Sequence, residues 1–285
     1  MINKNKKIFK FIVISLSLLL IYSAIIEPNL LVIKKYNLNK DGKLIEKKLD
    51  YKENNKVLKV VHISDTQIGY FYSAKRLKSL SKKINNLEPD IVVFTGDLID
   101  YSNKNPDIEK ITENLSKINA KIGKFAVFGN HDYMYDLPKY YEQIMKNSGF
   151  KLLVNENKSI DLGDGNYINV VGLDEKLNGK PAVDEYDEKM NPDDFNLVLL
   201  HNPDVVEEFK NSKIDLMLSG HSHGGQVSIP IKGALLTPPY GRKYTKGFYE
   251  VNGNNLFVTS GLGSTKLPFR LLNIPEIVEF NIIFE

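Results

Sequence analysis

The chain has 285 residues, 42% hydrophobic and 26% charged, an ordinary globular balance with room for one large domain or two small ones. It contains no cysteine, which excludes disulfide staples, thiolate zinc sites, iron–sulfur clusters and cysteine nucleophiles, so any metal has to be held by imidazole, carboxylate, amide or backbone oxygen. The net charge of +3 is uneven: residues 1–56 carry twelve Lys against five acids, about +7, leaving about −4 for the remainder, a poor surface for sequence-independent DNA binding.

Lys4, Lys6, Lys7 and Lys10 precede an uncharged run from Phe11 to Ile26, which with Ile8 and Phe9 approaches the ~20 apolar residues of a spanning helix. The positive-inside bias keeps residues 1–10 in the cytoplasm, makes residues 11–26 a single-pass anchor and sends the rest of the chain to the far side of the membrane. A cleaved export signal is the alternative, since small Ser23 and Ala24 end the apolar run, although no A-x-A site comes after them. Residues 27–56 are Lys- and Asn-rich with little period and read as a tether that joins a sheet at its end. Within it, Asp41-Gly42 separates two short stretches able to pair as a hairpin.

From residue 57 to 285, short β-branched runs alternate with helical patterns, which predicts one α/β layered domain. Residues 57–64, 90–97 and 124–131 are the clearest strands. Between them, Leu77, Leu80, Ile84 and Leu87 share a helix face over 74–87, and Ile111, Leu115 and Ile118 share another over 108–118. A third helix over 140–145 precedes hairpin-like segments around Leu152, Ile160 and Ile168. Then come a strand over 196–203, a short helix near Val205 and a strand over 214–223. From Gly224 onward the pattern is strands and Gly/Pro-rich loops, with no internal repeat.

The strand ends carry polar clusters: Ser64-Asp65-Thr66-Gln67, Gly96-Asp97-Leu98-Ile99-Asp100, Gly129-Asn130-His131-Asp132, His201-Asn202 and Gly220-His221-Ser222-His223-Gly224. Ligands in open α/β sheets sit beyond the carboxyl ends of strands, so these clusters are placed to converge. A pair of divalent ions ~3.5–4 Å apart needs a bridging carboxylate and several rigid oxygen and imidazole ligands, and flanking glycines let the backbone turn close to the ions. Rival motifs are missing: there is no P-loop, no H-E-x-x-H and no G-x-G-x-x-G. Gly220 to Gly224 does spell G-x-S-x-G, which would make Ser222 a hydrolase nucleophile at the start of a helix. The next residues, GQVSIP, read as a strand instead, and no Asp then His comes after them in hydrolase order, which argues against that role.

The ordered blocks D-x-(H), GD-x-x-D, GNH-D, H and GH-x-H, spanning Lys59 to His223, resemble the calcineurin-like metallophosphoesterase superfamily. The stretch GHSHGGQVSIP, the Pro-Pro-Tyr-Gly loop, the Gly-Phe-Tyr-Glu turn and TSGLGSTKLPFRLLNIPEI are similar to its membrane-associated or exported bacterial phosphodiesterase branch. The resemblance implies a four-layer α/β/β/α sandwich of two mixed sheets. It makes Asp97 the bridging carboxylate, gives one metal to Asp65 and His223, and the other to Asn130, His201 and His221. His131 resembles the family's catalytic His, with Asp100 accepting its other ring N–H. The implied reaction is in-line attack of a metal-bridging hydroxide on a phosphodiester or pyrophosphate of a phosphorylated small-molecule or lipid substrate, helped by two divalent ions. Mn²⁺ is the first expectation, with Fe, Zn, Mg and Ca as alternatives. No specific nucleic acid is expected, and no protein partner is inferable.

One position departs from the family pattern: Gln67 stands where the family usually has His, and its amide oxygen is a harder, weaker ligand. Gln67 either coordinates, favouring a hard ion such as Mn²⁺, or holds a metal-bound water. Two functional alternatives remain beside the hydrolase of an exported substrate. Some members of the resembled family cleave the pyrophosphate of UDP-2,3-diacylglucosamine, a cytoplasmic activity that the outward topology disfavours. A degenerate, non-catalytic metal- or phosphate-binding module is the other, disfavoured by the presence of Asp97, His131 and Asp100.

Each piece also has a plainer reading. Asp65 alone fits a helix cap, Gly96-Asp97 and Gly129-Asn130 fit turns, and a lone His201 fits a hydrogen-bonded core residue; only the ordered set reverses this. His62, between Val61 and Ile63, is read as structural. Asp132 serves the site or a turn, and Asp174 shapes a rim. Pro238, Pro239, Tyr240 and Tyr244, with Arg242, Lys243 and Lys246, form either a substrate wall or a solvated loop. Phe269, Leu271 and Leu272 beside Arg270 either dip into a bilayer surface or form a buried strand edge.

Overall fold

The computed structural model describes residues 2–45 and 56–284. Helix α1 (Ile2–Ile21) continues through a wider π turn, Tyr22–Ile26, and a tight 3₁₀ turn, Glu27–Asn29. The unit from Lys4 to Asn29 is almost entirely exposed, and among the described residues it is the one helix long and apolar enough to cross a membrane.

After it come β1 (Val32–Asn39), β2 (Lys56–Ile63), α2 (Arg76–Asn85), β3 (Ile91–Phe94), α3 (Ile108–Ser116), β4 (Gly123–Ala126), α4 (Leu137–Asn147), β5 (Lys151–Leu152), β6 (Glu156–Gly163) and β7 (Asn166–Gly172). The chain then runs through α5 (Val183–Lys189), β8 (Phe195–Leu199), β9 (Leu216–Ser219), the short β10 (Ser228–Ile229) and β11 (Gly233–Ala234), β12 (Gly247–Val251), β13 (Asn254–Val258) and β14 (Glu276–Phe284). Two six-stranded sheets result, ordered β1-β14-β2-β3-β4-β5 and β12-β13-β9-β8-β7-β6, both mixed.

Strand alternation builds the layers. In β2, Val61 and Ile63 join the cluster that receives Leu77, Leu80, Ile84, Ile111, Leu115, Tyr141 and Ile144 from α2, α3 and α4. The opposite face, Leu58 and Val60, packs with Leu197, Leu199, Leu216, Leu218, Phe257 and Phe280 between the two sheets. Beyond the second sheet, Val183 and Tyr186 of α5 and Val205, Val206 and Phe209 close on Val171, Val198 and Met217. This is the α/β/β/α sandwich implied by the resemblance. The predicted helix near Val205 is a 3₁₀ turn, Pro203–Glu208, and α5 is an element with no counterpart among the expectations.

The tether expected over 27–56 needs correction for its described part. Residues 32–39 form the edge strand β1, in parallel register with β14 from Val32↔Glu276 to Asn39↔Ile283. The strand is obscured in the sequence because its buried positions are few. Leu38 is fully buried, while Tyr36 stacks at 5.9 Å on Phe280 and meets Phe248 edge-on at 4.9 Å. The domain therefore begins before residue 57. A turn does form at Asp41-Gly42, with Asn39 N–H donating to the Lys43 carbonyl and Ile45 N–H to the Asn37 carbonyl. Residues 46–55 lie outside the described residues.

Candidate metal centre

The carboxyl ends of β2, β3, β8 and β9 point to one place, and the turns leaving them are unusual. Asp65 (φ +54°), Gln67 (φ +48°), Asp97 (φ +60°), His221 (φ +67°) and His223 (φ +51°) all occupy the left-handed region. Few non-glycine residues do so, and a group of them marks backbone held in place for function. The glycines leave the room needed: a Cβ on Gly129 would lie 2.2 Å from Asp97 Oδ1, and one on Gly220 would lie 2.1 Å from Asp65 Oδ2.

Asp97 is central. Its Oδ1 accepts the His131 backbone N–H at 2.8 Å; its Oδ2 accepts the Gln67 amide at 2.6 Å and lies 3.5 Å from His201 Nε2. Asp65, fully buried, accepts the His221 backbone N–H at 3.0 Å, and His223 Nε2 lies 3.4 Å from its Oδ1. One oxygen each from Asp65 and Asp97 and one nitrogen of His201 fall within 4.8 Å of one another.

The outer ring nitrogens are set by their partners. His201 Nδ1 donates to the Thr95 carbonyl at 2.6 Å and His221 Nε2 to the Pro239 carbonyl at 2.7 Å, so His201 Nε2 and His221 Nδ1 face each other at 3.2 Å as the positions where a proton or a cation binds. Burial lowers the His201 pKa, but the Asp97 charge and hydrogen bond outweigh it and raise it to about 10. Burial works to raise Asp97 as well, yet His201 and His131 hold it well below the carboxylate range. Burial also pushes Asp65 up to about 7 and His221 down to about 3. A proton shared by these groups or a cation among them satisfies the same field. The donor set favours a cation, because the buried acceptors Gln67 Oε1 and Asn130 Oδ1 have no hydrogen-bond donor among the described residues. The residues present therefore fit divalent metal ions.

The turns are pinned by Asp132, whose carboxylate accepts N–H groups of Asp97 at 2.7 Å, Leu98 at 3.0 Å and Gly129 at 2.9 Å. Of its two sequence readings, the structure supports the brace. Asp132→Ala would leave these buried donors unpaired at about 1–3 kcal/mol each, so the variant is expected to lose on the order of 3 kcal/mol or more in urea unfolding. An unchanged midpoint would refute the brace.

His131 sits with its ring 4.8 Å from Tyr101 and its buried Nδ1 without a partner among the described residues. The expected bond to Asp100 is not formed. Asp100 instead accepts the Ser102 N–H at 2.8 Å, the Ser102 hydroxyl and the Thr265 hydroxyl at 3.4 Å, because the turn after β3 folds its carboxylate back on its own backbone. Ser222 is buried, donates to the Thr245 carbonyl at 2.6 Å and caps Gly224 N–H, so no base activates it as a nucleophile. His62 bonds the Thr95 hydroxyl at 2.7 Å between the sheets, as a structural residue does. Asp174 accepts the Tyr133 hydroxyl and the Lys180 N–H, which fixes the loop beside Asn130.

The loop over 238–246 spends most of its polar groups on neighbouring segments of the chain. Lys243 pairs with Glu207 at 2.5 Å, the Tyr244 hydroxyl donates to Glu207 at 3.0 Å and Lys246 donates to Asn273 at 2.6 Å, which leaves Arg242 without an ion pair among the described residues. Sequence reasoning missed the carbonyls of Thr95 and Pro239 as imidazole anchors, and it missed Asn273, whose amide donates to the His223 carbonyl. Backbone acceptors have no residue signature. Asn273 is further bonded through its N–H to the carboxylate of Glu27, a buried residue at the end of the N-terminal helix.

Residues 58–225 match the calcineurin-like phosphoesterase family model. The chain belongs to the calcineurin-like phosphoesterase family. It is 35% identical over 79% of its length to the uncharacterized metallophosphoesterase YkuE of Bacillus subtilis, covering 78% of that protein. It is 27% identical over 91% of its length to the UDP-2,3-diacylglucosamine pyrophosphatase LpxG of Chlamydia trachomatis, covering 92% of it. It is 26% identical over 82% of its length to the phosphodiesterase YaeI of Escherichia coli, covering 85% of it. The matched segment holds every residue of the cluster, from Asp65 to His223. As a calcineurin-like phosphoesterase this chain is a metal-dependent hydrolase of phosphoesters.

Proposed function

We propose that the chain hydrolyses a phosphodiester or pyrophosphate with two divalent ions, one held by Asp65, Gln67, Asp97 and His223, the other by Asp97, Asn130, His201 and His221. The observation that carries this reading is the position of Asp97, in contact with both groups of proposed ligands, beside buried amide oxygens of Gln67 and Asn130 that lack a donor among the described residues. When bound, the ions supply Lewis-acid activation of water and neutralise charge developing on phosphorus. Mn²⁺ suits the mixture of carboxylate, amide and imidazole. Asp97 orients the His131 backbone, and Tyr101 positions its ring to protonate the leaving oxygen. The substrate is a membrane-associated or exported phosphorylated compound, and the N-terminal helix is a single-pass anchor with the catalytic body outside the cytoplasm. The length of the match to LpxG favours a second reading, a lipid-linked nucleotide-sugar pyrophosphatase.

The test is hydrolysis of bis-p-nitrophenyl phosphate by the full chain in detergent, metal-stripped and then resupplied with Mn²⁺. Metal-dependent turnover is expected, and His131→Ala is expected to lower it about 10²–10⁴-fold, the range of a general acid. Fewer than two ions bound per chain, with no turnover, would overturn the proposal. Gln67→His places imidazole where an amide now stands. It is expected to tighten the weaker ion about tenfold, the scale on which neighbouring groups tune metal sites. Titration calorimetry with Mn²⁺ measures this directly; unchanged affinity would remove Gln67 from the ligand set.

A further inference from the structure

The short β10–β11 hairpin and the loop over 265–272 expose a set of large apolar side chains that no part of the described chain covers. Ile229, Leu235, Leu236, Leu267 and Leu272 are exposed, and Ile231 at the hairpin tip is exposed in full. Single exposed leucines are ordinary, whereas a contiguous group on linked loops is not. The two segments are linked: Ser228 N–H donates to the Leu271 carbonyl at 2.9 Å, and Leu271 N–H to the Gln226 carbonyl at 3.0 Å. Ile231 also holds φ +73°, a conformation that a β-branched residue rarely adopts.

This surface adjoins the end of the N-terminal helix. Arg270 N–H donates to the Ser23 carbonyl at 2.8 Å, and Asn273 N–H to Glu27. Lys232 and Lys266, both exposed, flank the apolar tips. Of the three residues whose sequence context fitted either a bilayer contact or a buried edge, Phe269 and Leu271 are half-buried and only Leu272 is exposed.

We propose that the β10–β11 hairpin and the 265–272 loop seat in the headgroup layer of an anionic phospholipid bilayer beside the helix. The inference rests on the reading of α1 as a membrane span, which places a bilayer against these segments. Apolar tips enter the boundary of headgroups and acyl chains, and the flanking lysines meet lipid phosphates. The Gln226 side chain bonds both N–H and carbonyl of Thr265, so the loop that carries His221 and His223 is fastened to the seated segment. The metal centre thereby faces phosphoesters displayed at the membrane surface.

The chain has no native cysteine, so single cysteines can be introduced and labelled with the fluorophore nitrobenzoxadiazole. Ile231→Cys, Leu16→Cys in α1 and Asp164→Cys in the β6–β7 turn, at the opposite end of the strands from the site, are reconstituted as full chains. The vesicles contain phosphatidylcholine and phosphatidylglycerol with a lipid nitroxide quencher, and circular dichroism verifies each fold. The expected result is a blue shift and lipid quenching at 231 and 16, with neither at 164. Quenching at 16 with none at 231 would overturn the proposal and leave the spanning helix intact. Quenching at 231 with none at 16 would uphold the surface and remove the span, and no quenching at either would overturn both.

Discussion

Asp97→Asn is expected to lower metal-dependent turnover by on the order of 10³-fold or more, since removing a charge that stabilises the transition state through metal ions forfeits several kcal/mol at about 1.4 kcal/mol per tenfold. On the proposed ligand set the loss is larger than for any other member, because this one side chain touches both halves of the site. Its Oδ2 accepts from Gln67 and faces His201, while its Oδ1 accepts from the backbone of His131. An amide nitrogen in place of Oδ2 would oppose the Gln67 amide, donor against donor, and would carry no negative charge toward His201. Retained Tm with lost turnover and fewer bound ions, measured by elemental analysis, is the expected combination. Turnover within tenfold of the parent would remove Asp97 from the bridging position.

A chain beginning at Lys56 is expected to be insoluble or unfolded, whereas one beginning at Glu27 keeps the fold. Starting at Lys56 deletes β1 and uncovers the whole length of β14. Leu38 and the aromatic contacts of Tyr36 go with it, together about 5 kcal/mol of apolar burial, which is comparable to the whole stability of an ordinary domain. The deletion also strips Lys34 from the buried carboxylate of Glu276, 2.6 Å away, and Glu27 from Asn273. Thermal melts of the two truncations decide the matter. Equal Tm values would mean that β1 contributes nothing.

The sequence shows the layers well, because strands buried on both faces read as β-branched runs and helices on one face as spaced leucines. The convergence of Asp65, Asp97, Asn130, His201, His221 and His223 is legible for a different reason: each is fixed to a strand end by chain order, and chain order survives where distances are unknown. The missing bond from His131 to Asp100 is not legible, since it depends on how one turn folds, and Ser102, two residues after Asp100, supplies nearer donors to that carboxylate. β1 is hidden because an edge strand rich in Lys and Asn resembles a linker until its partner, far along the chain, is in view. The dependence of His201 and His221 on carbonyls of Thr95 and Pro239 has no sequence trace at all, since every residue carries a carbonyl.

The pairing of β1 with β14 joins two strands far apart in the chain, as the Asn281 to Asn37 side-chain bond does across 244 residues of sequence. Such a contact closes only after β14 has been made, and until then β1 lacks the strand it pairs with. Any chain cut short before residue 276 is therefore left with that edge open. It also lacks the last turn of loop that grips His223 if the cut falls before Asn273. The candidate centre therefore depends on segments far along the chain, and a chain cut before them keeps an open strand edge.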